Sequence, residues 1–312
     1  MNTTVVGASG YSGRQLVSLL IQHPKINLVE VTSRAYSGKT VESCIPNLRG
    51  KTKGLAFTNP SIEELSKNSK CELFFLALPH GTAASYAIPL LEAGKKVIDL
   101  SADFRLLTPE CYEEFYGTPH PAPEWLKKAT YGLPEIHSFT WDDSPLIASP
   151  GCYPTSILIP LFPLLKDQLI EENDIVANSM SGVSGAGRTA SEKLLYCERN
   201  ESASAYGLPK HRHLSEIEEQ LSLAATNKII ISFHPHLAPM NRGICSTISA
   251  RAKAGSTRKQ VWDCWNDFYR GRKFVHLLEE GEFPDVSHVV GTNRIDLSVN
   301  HDSRTGRFII CS

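Results

Sequence analysis

The sequence predicts an α/β protein of two domains, a doubly wound parallel sheet followed by an α+β domain with a mostly antiparallel sheet. Three observations lead there. At the N-terminus a β-branched run, TTVVGASG, enters a glycine turn and then a helix pattern, RQLVSLLIQHP. Strand and helix patterns then alternate through the first 150 residues, the signature of parallel strands joined by crossover helices. Beyond Cys152 the alternation gives way to helices mixed with strands of period two.

The elements follow in order. The first helix pattern stops at Pro24, and INLVEVTS supplies the second strand, completing a β-turn-α-β unit of about thirty residues. CELFFLALP is a continuous apolar strand, which suits a sheet covered on both faces. TAASYAIPLLEAG is a helix closed by Gly94, and KKVIDLS is a further strand. Residues 105–145, rich in Pro, Tyr and Trp, are expected to form a long irregular connection. TSILIPLFPLLKDQL is expected to be a helix interrupted by its prolines. DIVANSMSGVSGAG is a strand entering a Gly/Ser loop, and HLSEIEEQLSLA is an amphipathic helix. IIISFHPHLAP and GICSTISARA alternate like antiparallel strands, and STRKQVWDCWNDFYRG is the last helix. The expected boundaries are 1–150 for the first domain, rejoined by 291–312, and 151–290 for the second.

Composition narrows the function classes. Of 312 residues, 41% are hydrophobic and 21% charged, and the net charge is -1. That balance favours neither a nucleic-acid surface nor a membrane surface. There is no stretch of about 18 apolar residues and no leader pattern, so the expectation is a soluble cytoplasmic protein, organellar only if a leader has been removed. Eight scattered cysteines without a CxxC pair predict neither a disulfide framework nor a metal site. Each, Cys152 apart, is expected to be a small buried hydrophobe.

GASGYSG spaces Gly7, Gly10 and Gly13 by three between a strand and a helix. Glycines there allow a tight turn and a close backbone approach to a pyrophosphate, which the helix N–H groups and dipole then favour. Ser9, Tyr11 and Ser12 complete the loop. The second strand ends in Ser33 and Arg34, where dinucleotide folds that read NAD carry an acidic side chain. A hydroxyl and a guanidinium suit a 2′-phosphate instead, so NADP(H) is favoured; the alternative is that Arg34 is simply solvated.

Cys152, in ASPGCYPTS, stands where a strand gives way to an apolar helix. Backbone N–H groups at a helix start favour a thiolate and can hold an oxyanion. A dinucleotide loop plus such a cysteine implies attack on an activated carbonyl, a thioester, and its reduction to an aldehyde.

GASGYSG, ALPHG, DLSADFR, SPGCYPTS, SGVSGAGR, HRHLSEI and PHLAPMNRGI occur in that order. Together they closely resemble the N-acetyl-γ-glutamyl-phosphate reductases, within a superfamily that includes aspartate-semialdehyde dehydrogenase. The resemblance implies a Rossmann-type nucleotide domain, an α+β catalytic and oligomerisation domain, and a homodimer or homotetramer. It also implies NADPH-dependent reduction of a small acyl phosphate in arginine biosynthesis, with phosphate released. The family continues beyond FIICS with a segment like DNLxKGAxxQAVQ.

By this resemblance Cys152 is the nucleophile and His211 the acid/base; from residue chemistry alone His213 serves equally well. Arg105 is the candidate for the leaving phosphate, or else a structural ion pair. Arg242 would hold a substrate carboxylate or line the site edge. Glu216 would orient a histidine or the substrate, or be an ordinary helix residue. Ser181 and Gly182 open a second glycine loop that the resemblance puts near the nicotinamide, with a tight turn as the plain alternative. Asn293 is a candidate for the carboxamide end of the cofactor. His80, at a strand's carboxyl end, is a ligand candidate or a helix cap. Two readings compete with the leading one: the same chemistry on an aminoadipyl or aspartyl phosphate, and a catalytically silent NADP-binding regulator.

Overall fold

The computed structural model describes residues 1–140 and 142–312, so Trp141 of the expected connection lies outside it. The chain forms two compact units. The first holds residues Met1–Gly132 and Phe139–Pro150, and the second Leu133–Ser138 and Gly151–Ser312.

The first unit runs β1 (Asn2–Val6), α1 (Tyr11–Leu20), β2 (Asn27–Thr32), α2 (Val41–Cys44), β3 (Phe57–Thr58), α3 (Ile62–Lys67), β4 (Leu73–Leu76), α4 (Ala83–Glu92), β5 (Lys96–Asp99), α5 (Pro109–Tyr116), α6 (Pro123–Leu126), β6 (Thr130–Tyr131) and β7 (Leu146–Ala148). Its seven strands lie in the order β3-β2-β1-β4-β5-β7-β6, and every ladder is parallel. The continuous apolar strands are explained by two cores. Val5 packs with Val17, Val31 and Phe57, while its neighbour Val6 packs with Phe74, Leu76, Ala84 and Leu90. Successive side chains point to opposite faces, so both faces of β1 are covered. The connection expected to be irregular is partly ordered. Thr108 accepts from the Cys111 amide to cap α5, and Pro109 and Pro123 stand at first helical positions, where a missing N–H costs nothing.

The second unit runs α7 (Cys152–Lys166), β8 (Ile175–Ser181), α8 (Tyr196–Arg199), β9 (Ser204–Ala205), α9 (His213–Ala225), β10 (Ile231–Leu237), β11 (Ile244–Arg251), α10 (Arg258–Phe268), β12 (Val275–Leu277), α11 (Val286–Val289), β13 (Ile295–Asp302) and β14 (Arg307–Cys311). The sheet order is β12-β13-β14-β11-β8-β10-β9. β8 with β10 and β12 with β13 run parallel, and the other neighbours antiparallel. β10 and β11 do not pair with each other; each flanks β8, β10 in parallel and β11 antiparallel. Residues 291–312 do not return to the first unit, as the sequence reading expected. β14 pairs with β11 and β13 in the middle of the second sheet. The period-two pattern of β13 and β14 identifies strands without identifying which sheet recruits them.

α7 is a continuous helix despite Pro160 and Pro163, and all its residues from Tyr153 to Leu165 except Thr155 are buried. A proline supplies no N–H to the carbonyl four residues back. For Pro160 that carbonyl belongs to Ser156, and the Ser312 hydroxyl donates to it at 2.7 Å. For Pro163 it belongs to Ile159, and the Tyr269 hydroxyl donates to it. Both vacancies are filled from elsewhere in the unit, so the helix does not break. Among the described residues no helix is long and apolar enough to cross a membrane.

Candidate functional site

In the first unit the glycine loop lies between β1 and α1. Gly7 has φ +80°, and a Cβ on it would sit 2.4 Å from the Ala77 carbonyl oxygen, so no other residue fits. A Cβ on Gly13 would meet the Gly7 oxygen at 2.6 Å, which is what lets α1 pack down on the loop. Gly10 differs, since a Cβ there would meet only the Gly7 oxygen, at 3.9 Å. It is the N-cap of α1 and provides no side-chain cap, so its bare backbone faces open space beside the helix start. A cradle with a helix start and no capping side chain suits a pyrophosphate. The Ser33 hydroxyl donates to Ser9 at 2.9 Å, linking the end of β2 to the loop. The exposed Arg34 guanidinium reaches the Tyr86 hydroxyl at 3.5 Å. Tyr11 and Ser12 are exposed on the first turn of α1. The loop and the end of β2 have the build that a dinucleotide site requires.

The DLSADFR turn after β5 is more structural than its arginine alone suggested. The Asp99 carboxylate is fully buried and accepts from the Ser101 amide at 2.9 Å and hydroxyl at 2.7 Å; burial nonetheless pushes it up to about 7. Asp103 accepts from the Gly81 and Ala84 amides, capping α4 from outside that helix. His80 Nδ1 accepts from the Ala102 amide at 2.9 Å, on the same turn. Arg105 is 6% exposed, and its Nε and one terminal nitrogen donate to the Ser149 and Leu100 carbonyls at 2.7 and 2.9 Å. These two backbone carbonyls help to orient the guanidinium, and its charge also acts on the buried Asp99.

The second unit brings together most of the other candidates. Cys152 is exposed and is the first residue of α7, with Gly151 as N-cap and no side-chain cap. Pro154 sits in the first turn, where its missing N–H breaks no helical bond. The Thr155 amide and hydroxyl both donate to the Gly151 carbonyl. The Gly151 amide donates to Glu216 Oε1 at 2.8 Å. Glu216 is therefore a buried tie from α9 to the start of α7, not a surface helix residue.

The Tyr153 ring, next to Cys152, has His211 against it at 5.6 Å and His213 at 6.0 Å, both edge-on. His211 also touches Tyr206 at 5.4 Å and Phe233 at 5.5 Å. Its Nδ1 accepts from the His213 amide at 3.1 Å, which leaves Nε2 as the nitrogen available to a reactant. Burial in this aromatic cup, aided by the charge of Arg212, lowers His211 to about 4. Gly207 makes the cup possible: at φ +63° it has no side chain, and a Cβ would lie 2.9 Å from the His211 ring. The Tyr206 hydroxyl donates to that of Tyr153 at 2.9 Å. Tyr153, Tyr206 and Gly207 were not singled out from sequence. The glycine two residues before a Pro and four before a histidine was the one available signal.

The second glycine loop is fixed to the Arg242 turn. Gly182 donates to the Gly243 carbonyl at 3.0 Å, Val183 to Met240 and Ser184 to Asn241. A Cβ on Gly182 would lie 2.6 Å from the Arg242 amide nitrogen, so glycine is what allows the two turns to touch. Ser181 is buried at the end of β8, and Arg242 is exposed. Among the described residues no hydrogen bond or ion pair joins Asn293 to these groups; it lies exposed in the turn before β13. Of the other cysteines only Cys71 is fully buried, and Cys197 is exposed, so the expectation of buried fillers fails for Cys197.

Comparisons with known proteins follow the same division. Residues 2–143 match the profile of the semialdehyde dehydrogenase NAD binding domain, and residues 152–312 that of the semialdehyde dehydrogenase dimerisation domain. An N-acetyl-gamma-glutamyl-phosphate reductase from Akkermansia muciniphila is 49% identical over 313 residues, covering 100% of this chain and 90% of the relative. Another from Geobacter metallireducens is 45% identical, covering 100% and 89%. Among solved structures, aspartate semialdehyde dehydrogenase II of Vibrio cholerae superposes with a TM-score of 0.73 at 17% identity, covering 99% of this chain and 91% of that one. The Candida albicans aspartate semialdehyde dehydrogenase, solved with NADP, gives 0.66 at 15% identity, covering 100% and 92%. At those identities the structures speak for the fold, and the sequence relatives for the family. The chain belongs to the semialdehyde dehydrogenase family and, within it, to the N-acetyl-γ-glutamyl-phosphate reductases.

Proposed function

We propose that the protein reduces N-acetyl-γ-glutamyl phosphate to N-acetylglutamate 5-semialdehyde with NADPH, releasing inorganic phosphate, as a step of arginine biosynthesis. The observation that carries the chemistry is the exposed Cys152 at the uncapped start of α7, beside the ring that also seats His211. The neutral imidazole takes the thiol proton, and the thiolate attacks the acyl carbon. The bond from acyl carbon to phosphate oxygen breaks, phosphate leaves, and a thioester on Cys152 remains. The Cys152 and Tyr153 amides, at the start of α7, hold the oxyanion in each tetrahedral stage. A bound nicotinamide supplies the hydride that takes the thioester to the aldehyde level. Collapse then restores the Cys152 thiolate. Arg105 and Arg242 are proposed to answer the phosphate and carboxylate charges, and Ser33 with Arg34 favours the 2′-phosphate of NADPH. We also propose that the second unit pairs with a copy of itself.

The test is phosphate-dependent reduction of NADP with N-acetylglutamate semialdehyde, run beside aspartate semialdehyde and beside NAD. The expected result is turnover with the first aldehyde and NADP, at least about a hundredfold above either alternative. In Cys152→Ser turnover is lost while NADPH binding persists. Full activity of that variant removes the nucleophile, and preference for aspartate semialdehyde removes the substrate.

A further inference from the structure

We propose that Glu216 is a positioning residue for the nucleophile, its carboxylate holding the Gly151 amide and with it the turn from which Cys152 enters α7. The proposal rests on the reading of Cys152 as the nucleophile. Three observations carry it. Glu216 Oε1 lies 2.8 Å from the Gly151 nitrogen. Glu216 is 1% exposed, so it is placed to hold protein rather than to meet a substrate arriving from solvent. Gly151 is the N-cap of α7 and has no side chain with which to define that helix start. The tie therefore comes from α9, which packs along α7 and begins at His213. One short helix thus sets the entrance of the nucleophile's helix and follows directly from the residue proposed to take its proton. Gly151 uses its amide for this bond, Pro154 has none and the Thr155 amide donates to the Gly151 carbonyl, so the proposed oxyanion donors are the Cys152 and Tyr153 amides.

The experiment compares Glu216→Ala, Glu216→Gln and Glu216→Asp in the full chain. One readout is steady-state kinetics. The other is the rate at which iodoacetamide labels Cys152, with the labelled peptide located by mass spectrometry. Labelling needs neither substrate nor cofactor, so it reports on the nucleophile's setting even if the proposed substrate is wrong. The alanine variant is expected to lose about a hundredfold in kcat with KM little changed, and to label about tenfold more slowly. The glutamine variant keeps an oxygen acceptor at the same reach and is expected to recover most of both. Aspartate, one methylene short, is expected to behave like alanine. If alanine leaves too large a hole to fold, judged by circular dichroism and NADPH binding, the contrast between Gln and Asp decides alone. A raised KM with unchanged labelling would make Glu216 a substrate ligand and overturn the proposal. Failure of Gln equal to that of Ala, or no better than that of Asp, would do the same, by showing that an oxygen acceptor at the native reach is not what the site needs.

Discussion

His211 and Asp99 are shifted in opposite directions by one cause, burial, because one loses its charge when deprotonated and the other gains it. The consequence for stability can be signed. His211 titrates near 4 when folded against 6.5 ordinarily, so between those values the unfolded chain binds the proton better and stability rises with pH. Asp99 titrates near 7 against 3.8 ordinarily, so in that window the folded chain binds the proton better and stability falls as pH rises. The expected outcome is read by difference. The melting temperature of wild type relative to His211→Asn climbs from pH 4 to 6.5, and relative to Asp99→Asn it declines from pH 4 to 7. Equal slopes in both series would show that neither group titrates as its burial requires. At neutral pH the His211 imidazole is unprotonated, the form that the proposed proton transfer needs, while the same shift weakens it as a base.

Elements were legible in the sequence where the cause was local. The glycine loop, the continuous apolar β4, and Gly94 behind α4 were all readable, since each obeys a rule spanning a few residues. Cys152 at a helix start was readable for the same reason. What escaped depends on partners distant in the chain. Glu216 reads as a residue that orients a histidine or the substrate, or as an ordinary helix residue, and only the fold sets Gly151, 65 positions earlier, against it. The prolines of α7 read as interruptions because the donors that replace their amides, Tyr269 and Ser312, come from far along the chain. That repair predicts a coupling. Tyr269→Phe leaves the Ile159 carbonyl buried and unpaired, at a cost of about 1–3 kcal/mol in urea unfolding. In a Pro163→Ala background the restored amide can serve that carbonyl, so the same change should cost under about half as much. Equal costs in both backgrounds would mean that the hydroxyl acts through packing, not through the vacancy left by the proline.

For the molecule as a whole, the open face of the second sheet is the feature that asks for a partner. Along β8 residues Ile175, Ala177, Ser179 and Ser181 are buried, while Asn178 and Met180 are exposed, the latter by 53%. On the neighbouring strand Ile248 and Ala250 are buried and Thr247, in register with Asn178, is exposed. α7 packs on β11, α9 on β10 and α10 on β13. At one end of this face Arg251 and Arg307 pair with Asp174. Away from that end the outward positions of β8, β10, β11 and β14 are Val176, Asn178, Met180, Ser232, His234, His236, Cys245, Thr247, Ser249, Ile309 and Cys311. None is Lys, Arg, Asp or Glu, and depletion of charge with a central methionine is the composition of an interface core. A face shared by two identical copies is self-complementary, so a charge placed near its centre meets its own image. The chain is accordingly expected to sediment at twice its monomer mass at micromolar concentration. Thr247→Arg combined with Met180→Arg should return it to a monomer, with the circular dichroism spectrum unchanged. A wild-type monomer, or a dimer indifferent to both charges, would move the contact to another face and leave these uncharged positions without a role.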